Sequence, residues 1–499
     1  MTMDTARASQ TELTHKTVKG VLWSSLSFAG SKGITFLATM VLARLLAPED
    51  FGLMALGLVA IGYLETFGSL GVGNFVIYKQ GEEEKTANLA FTLGLMVNTL
   101  LAIAGFLLAP WIAEFFNQPS LTAILRALSV TLLLMRLGSI HEARLKKSLR
   151  FRKTFYPELG KTLAKAITSI TLAWLGFGVW SLVAGQIAGS VALSIIYWIV
   201  SGWRPHLAWD WKVSKGMLGY SSQIILVEIM GMLQNNIDYL IIGKRLGSEP
   251  LGYYTMAFRI PELLIVNICV IVSNALFPAY SQLQADREAL KKGFLVTLQY
   301  VSLYTIPVGI GLSLLSAAFV PLAFGSGWQT AVPLMQALAI YALFYSLSFN
   351  AGDVYKATGR PDILNKLSIF ELLLIVPLLL FASNYGVLYV ALAQVAGSAV
   401  LMLVKLLIIK HLIGLHLAEV LSALRPAALS GLLMLAVLTA LSWLLNSVST
   451  LAQVLILPLA GGLVYLASIW LIYPQTARQA VQLLRSILLS RHAQAVENV

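Results

Sequence analysis

Apolar stretches of about 20 residues, the length a helix needs to cross a bilayer, recur along this chain and are parted only by short charged or Gly/Pro-containing breaks. Spans are placed at roughly 17–46, 50–78, 84–110, 119–144, 151–175, 178–203, 217–243, 250–280, 290–317, 331–353, 362–383, 386–410, 420–445 and 450–473. No stretch is left over for a soluble domain. With 58% hydrophobic and 12% charged residues and a mean hydropathy of +0.79, the chain cannot supply the polar shell of a soluble protein. The expected fold is an all-α integral membrane protein of about 14 transmembrane helices. The polar start, residues 1–19, runs straight into the first span without a small-residue cleavage site, so no signal peptide is expected and the first span is the insertion signal.

The formal charge of +12 is spread over many short loops rather than gathered on one face, which argues against a nucleic-acid partner. It follows the membrane instead. Basic residues accumulate on the cytoplasmic side. Of the 35 Lys and Arg, the loops following odd-numbered spans hold only Arg44, Lys244 and Arg245. The N-terminus, the C-terminal tail and the opposite loops hold most of the others, including the cluster Arg144, Lys146, Lys147, Arg150, Arg152 and Lys153, and also Lys405 and Lys410. Both termini are therefore expected to be cytoplasmic, in a multi-pass membrane protein. The Arg144–Lys153 cluster is taken as a topology signal in preference to a headgroup site for anionic lipid. The lone cysteine, Cys269, lies in an apolar run and is taken as packing, with no metal pair and no cofactor implied.

Two segments 200 positions apart share a pattern: Arg44-Leu45-Leu46-Ala47-Pro48-Glu49-Asp50-Phe51-Gly52 and Lys244-Arg245-Leu246-Gly247-Ser248-Glu249-Pro250-Leu251-Gly252. Each joins the first two spans of a six-span block, so the blocks share one orientation and form a parallel repeat. The expected organisation is an N-lobe at 1–203 (spans one to six), a cytoplasmic linker at 204–216, and a C-lobe at 217–410 (spans seven to twelve). Two extra spans at 411–473 and a cytoplasmic tail at 474–499 complete it. Transporters built from such repeats hold cargo near the midplane and alternate access by rocking. Pro261, Pro307 and Pro377 lie inside spans and suit bending helices.

A charge at bilayer depth costs about 2.5–3.5 kcal/mol on the mildest scale, so it should face a cavity or a partner. The basic residues inside spans are Lys32, Arg126, Arg136, Lys161, Lys165 and Arg259. Arg126, Ser129 and Arg136 share a stripe of span four; Glu158, Lys161, Lys165 and Thr168 share one of span five; Ser25, Lys32, Thr35 and Thr39 share one of span one. Together they describe a cationic cavity wall suited to a phosphate or diphosphate. Some of the charge is expected to be local pairing: Glu158 with Lys161, Glu262 with Arg259, and Glu65 offsetting Lys32. In the second block Ser221, Glu228, Asn235 and Asp238 share a face of span seven, and Glu371 stands about halfway along span eleven. Carboxylates with amide oxygens nearby suit coupling to H⁺ or Na⁺; interhelical hydrogen bonding is the alternative.

The chain resembles the Wzx-type polysaccharide flippases of the MOP (multidrug/oligosaccharidyl-lipid/polysaccharide) superfamily, near the colanic-acid exporters. The likeness rests on Trp23-Ser24-Ser25 with Val41-Leu42-Ala43-Arg44 and Phe51-Gly52-Leu53, on Leu70-Gly71-Val72-Gly73-Asn74 leading to Ile77, and on Leu276-Phe277-Pro278-Ala279. Phe319-Val320-Pro321-Leu322, Phe324-Gly325, Trp328 and Pro333 extend it. The resemblance implies two pseudo-symmetric six-helix lobes plus two C-terminal helices. It implies transport of undecaprenyl-diphosphate-linked repeat units, in exopolysaccharide or O-antigen synthesis, to the periplasmic leaflet, with H⁺ or Na⁺ coupling a further implication. Partners would be that glycan, membrane lipid, and a polysaccharide polymerase or chain-length protein. Lys32, Arg126, Lys161 and Lys165, with Arg136, would fill the cationic cavity; Glu228, Asn235, Asp238 and Glu371 would serve the coupling.

A multidrug or cation antiporter of the same superfamily is the alternative, which the basic first block and the extra span pair disfavour. An enzyme such as a glycan ligase would need a sizeable outside loop, whereas the longest, around Phe319 to Thr330, carries no titratable residue. No enzymatic activity and no catalytic residue is expected.

Overall fold

A computed structural model of the chain describes residues 30–69, 72–79 and 81–482, and every regular element within them is helical. Trp23-Ser24-Ser25, Leu70-Gly71 and the tail arginines Arg485 and Arg491 lie outside the described residues, as does the Ser221 side chain. Helix α1 covers residues 30–45. There follow α2 (Pro48–Ser69), α3 (Val72–Tyr78), α4 (Glu83–Phe115), α5 (Ser120–Lys147), α6 (Phe151–Trp174), α7 (Val179–Ser201) and α8 (Trp211–Arg245). After them come α9 (Ser248–Pro261), α10 (Asn267–Gln282), α11 (Arg287–Phe324), α12 (Ala331–Phe349), α13 (Ala351–Ala357), α14 (Asp362–Ala382), α15 (Val387–Ile413), α16 (Leu417–Leu444) and α17 (Thr450–Ile472).

Among the described residues, 11 helical stretches are long and apolar enough to cross a membrane. The expected spans outside that set are the first, fifth and seventh. The first is described only from residue 30; the other two are α6, with Glu158, Lys161 and Lys165, and α8, with Glu228 and Asp238. Both of these helices carry polar stripes, as expected if those stripes face protein or water.

The backbone divides into two compact units, residues 1–252 and 253–499. In the first, α4 packs on α5, α5 on α7, and α7 on α6, while α2 lies against α5 and α8. The α2–α8 pair runs antiparallel: Gly243 faces Leu56, Met232 reaches Gly62, and Ser69 Oγ donates to Glu228 Oε2 at 3.4 Å. The repeated segments meet within this unit. A Cβ at Gly52 would overlap the carbonyl oxygen of Ser248, and one at Gly252 would overlap that of Pro48. The two contacts are the same contact read in both directions across the 200-residue offset, and only glycine permits so close a backbone approach.

In the second unit α11 packs on α12 and α16, α12 on α15, and α14 on α15. Between α9 and α10 a π-helical turn, Glu262–Val266, follows Pro261. Proline has no N–H to donate and crowds the preceding turn, and the π turn absorbs the break. The expected pairing of Arg259 with Glu262 is not among the ion pairs of the described residues, although the two stand three apart across the end of α9. At the start of α11 the Asp286 carboxylate accepts hydrogen bonds from the Glu288 and Ala289 backbone N–H groups, both at 3.0 Å. The extra pair α16–α17 packs on α11, where Tyr465 donates to the Leu303 carbonyl at 3.0 Å and Gly431 seats against Ile306. The loop after α11 is shorter than expected: Trp328 is buried in a 3-10 turn, edge-on to Tyr253 and Phe324.

Candidate functional site: the polar seam of the first unit

Helix α7 carries Gly185 and Gly189, a small-residue pair one turn apart that lets a neighbouring membrane helix come close. Helix α6 fills the gap. A Cβ at Gly185 would overlap Ser169 Oγ and lie 2.9 Å from the Lys165 carbonyl; at Gly189 it would lie 3.1 Å from the Lys161 carbonyl and 3.2 Å from Lys165 Cβ. The ridge that docks on the glycines is therefore the one bearing Lys161, Lys165 and Ser169. Lys165 Nζ donates to Gln186 Oε1 at 2.7 Å, and Lys161 Nζ stands 3.9 Å from Glu158 Oε2, the pairing expected from sequence. Both lysines are half-buried. Gln186 was not among the sequence candidates, although its place between the two glycines was the signal that could have found it.

The Lys161 charge also acts on Glu65 of α2. Glu65 is exposed on α2. One helical turn further along α2, Ser69 holds Glu228 of α8. Carboxylates from α2 and α8 thus share one side of α2, with Lys161 within electrostatic reach of Glu65. Lys32, on α1, is half-buried and engaged in an interaction of its own; one turn on, Thr35 and Thr39 donate to the carbonyls of Ser31 and Thr35, both at 2.7 Å.

The two α5 arginines lie against α4. Arg126 is exposed, with its guanidinium 4.8 Å from the centre of the Phe106 ring and Nε donating to the Phe106 carbonyl at 3.4 Å. Arg136 is only 6% exposed. Its guanidinium fills the notch left by Gly94, where a Cβ would overlap it, and Nη2 reaches the Ala90 carbonyl at 3.5 Å. On α8, Asn235 is exposed and Asp238 buried, with Asp238 Oδ1 accepting from the Tyr239 backbone N–H at 2.9 Å. Glu371 lies on α14, half-buried and within electrostatic reach of Lys405. Lys405, expected in a loop, belongs to the interior of α15, which runs on to Ile413. Among the described residues no group of three or more His, Cys, Asp or Glu side chains could hold a metal ion.

A family model described as "Polysaccharide biosynthesis protein" matches residues 41–333. Among curated relatives, the lipopolysaccharide biosynthesis protein WzxC of Escherichia coli (strain K12) is 26% identical over 73% of this chain and 75% of its own length. The succinoglycan biosynthesis transport protein ExoT of Rhizobium meliloti (strain 1021) is 28% identical over 65% of this chain and 66% of its own. The teichuronic acid biosynthesis protein TuaB of Bacillus subtilis (strain 168) is 25% identical over 70% and 73%. Among solved structures, the lipid II flippase MurJ in an inward closed conformation superposes with a TM-score of 0.75 at 17% identity, covering 91% of this chain and 99% of that one. An inward-facing MATE-family transporter of the MOP superfamily gives 0.63 at 16% identity, over 77% and 94%. At these identities the structural likeness is one of fold.

Proposed function

Because the chain belongs to the polysaccharide biosynthesis protein family, as a Wzx-type flippase of the MOP superfamily, we propose that it moves undecaprenyl-diphosphate-linked repeat units from the cytoplasmic to the periplasmic leaflet of a bacterial inner membrane. The observation that carries this reading is the α6–α7 seam, where two lysines are held against closely packed backbone inside a helix bundle. A charge there costs about 2.5–3.5 kcal/mol even on the mildest scale. The cost is offset when an anionic group shares the cavity, and a diphosphate supplies the matching charge. A cationic drug would raise it. Alternating access would use the N-lobe at 1–203 and the C-lobe at 217–410, joined by the cytoplasmic linker at 204–216, with the helices of 411–473 and the tail at 474–499 outside the repeat. Both termini would be cytoplasmic. The released repeat unit would pass to a polymerase or chain-length partner.

The changes Lys161→Met and Lys165→Met keep side-chain bulk and remove charge. Together they should abolish glycan export in cells while the protein stays in the membrane at parental abundance. Export at the parental rate would sink the cationic-seam reading, and loss of the protein itself would assign the lysines to folding.

Ion coupling through Glu228 and Asp238, with Asn235 and Glu371 in support, is a separable part of the proposal. Glu228→Gln and Asp238→Asn should each flatten the dependence of transport on an imposed H⁺ or Na⁺ gradient. Unchanged gradient dependence in both would make those carboxylates structural.

A further inference from the structure

A cleft of about 230 Å³ opens at the end of the first unit where α5 turns into α6, lined by Arg144, Lys147, Arg150, Glu83, Ser148 and Ser201. Its three basic residues face one acid, and that acid is already engaged: Lys147 Nζ stands 3.1 Å from Glu83 Oε1 and donates to the Lys79 carbonyl at 2.6 Å. Both arginines are left over. Among the described residues neither Arg144 nor Arg150 is paired with a carboxylate. The Arg144 guanidinium lies over the Trp203 ring at 4.8 Å, and its Nη1 is buried without a hydrogen-bond partner. A guanidinium fixed by stacking at the wall of a cleft is preorganised for a planar or tetrahedral oxyanion.

The backbone supports the same ligand. Leu149 takes a left-handed conformation, φ 55°, unusual for a residue with a branched side chain. That turn makes Arg150 the N-cap of α6, where the helix start presents the partial positive charge of its dipole. At about 230 Å³ the cleft is large enough for a phosphate group with its ester oxygens. The opposite wall is held in place: Ser201 Oγ accepts from the Trp203 backbone N–H at 3.2 Å and lies 2.6 Å from His141 Nδ1.

We propose that this cleft binds the phosphate of a membrane lipid, with the guanidinium groups of Arg144 and Arg150 as the recognising pair. Two sources carry that chemistry, the headgroup of a bulk anionic phospholipid and the diphosphate of the lipid-linked cargo. The proposal rests on the membrane setting and does not depend on Lys161 or Lys165.

The test uses the full chain, purified in a neutral detergent, with lipid retention read by native mass spectrometry. Titrants are phosphatidylglycerol, phosphatidylcholine and a polyprenyl diphosphate. Saturable binding of phosphatidylglycerol, preferred over phosphatidylcholine, is expected to weaken at least tenfold, about 1.4 kcal/mol, in the Arg144→Gln/Arg150→Gln double variant. Lys146→Gln should bind as the parent does, because Lys146 points away to Glu142 at 2.6 Å and does not line the cleft. Since Arg144→Gln could disturb Trp203, Arg150→Gln alone, at an exposed side chain, is expected to weaken binding several-fold. Saturable binding of polyprenyl diphosphate alone, lost in the double variant, supports the site and identifies the cargo as its source. Equal retention of phosphatidylcholine and phosphatidylglycerol with no binding of polyprenyl diphosphate, or undiminished binding by the double variant, overturns the proposal. Loss of lipid binding with intact export would separate this site from the transport reading.

Discussion

The α6–α7 seam of the first unit and the α14–α15 seam of the second are built alike and filled differently. Gly189 and Gly397 occupy the same place counted from the helix starts Val179 and Val387. Opposite Gly189 stand Lys161 and Lys165; opposite Gly397 stand Ile375 and Leu378. Where the first seam touches backbone carbonyls and a lysine stem, the second touches only the ends of aliphatic side chains. Its charge, Glu371 with Lys405, lies elsewhere along the same pair of helices. The difference teaches that a repeat can keep its close-packing glycine while exchanging what the glycine admits. One seam became a polar wall and the other an apolar joint.

The comparison breaks most sharply at the glycines themselves. Gly185→Ala places a methyl group against Ser169 Oγ and the Lys165 carbonyl, and the backbone cannot retreat as a side chain can. A loss of about 1–3 kcal/mol is expected, visible as a lowered unfolding midpoint in detergent. Gly397→Ala meets only the movable side-chain ends of Ile375 and Leu378, so it should cost roughly 1 kcal/mol or less. Equal costs would mean the seams are packed alike after all.

A smaller effect should distinguish the charges. Lys405→Met removes the cation that faces Glu371, and a membrane-buried polar pair is worth about 0.6 kcal/mol on average and at most about 1.7. The unfolding midpoint should fall by that much, with Glu371→Gln restoring part of it. Loss of export with normal stability would give the second seam a role in transport equal to the first.

The smallest effect is expected at Arg126. Its contact with the Phe106 ring is exposed, and such cation–π pairs contribute about 0.5–1 kcal/mol. Arg126→Gln should lower stability by no more than that and reduce export far less than Lys165→Met, measured side by side. A full loss of export would return Arg126 to the cargo wall.

Much of this was legible in the chain. The period of apolar stretches set the membrane class and the helix series, because a helix in lipid must be long and apolar whatever it packs against. The 200-residue repeat marked Gly52 and Gly252 as equivalent, but only the structure brought each against the other's segment. The Glu158–Lys161 pair followed from helical spacing alone. The stripe of span four was less reliable: residues three apart on a helix differ by about 60° around its axis, and that angle separates exposed Arg126 from buried Ser129.

What the sequence determined by itself was therefore one-dimensional: which segments enter the membrane, which carry charge, and which segments repeat. Tertiary structure alone decided which charge met which partner. Nothing local to Lys165 names Gln186, nothing near Arg136 names the notch at Gly94, and Lys405 looks like a loop residue until α15 is seen to run past it. The physical reason is that a side chain's energy in a bundle depends on the neighbouring helix, and the choice of neighbour rests on many small packing contacts spread over the chain.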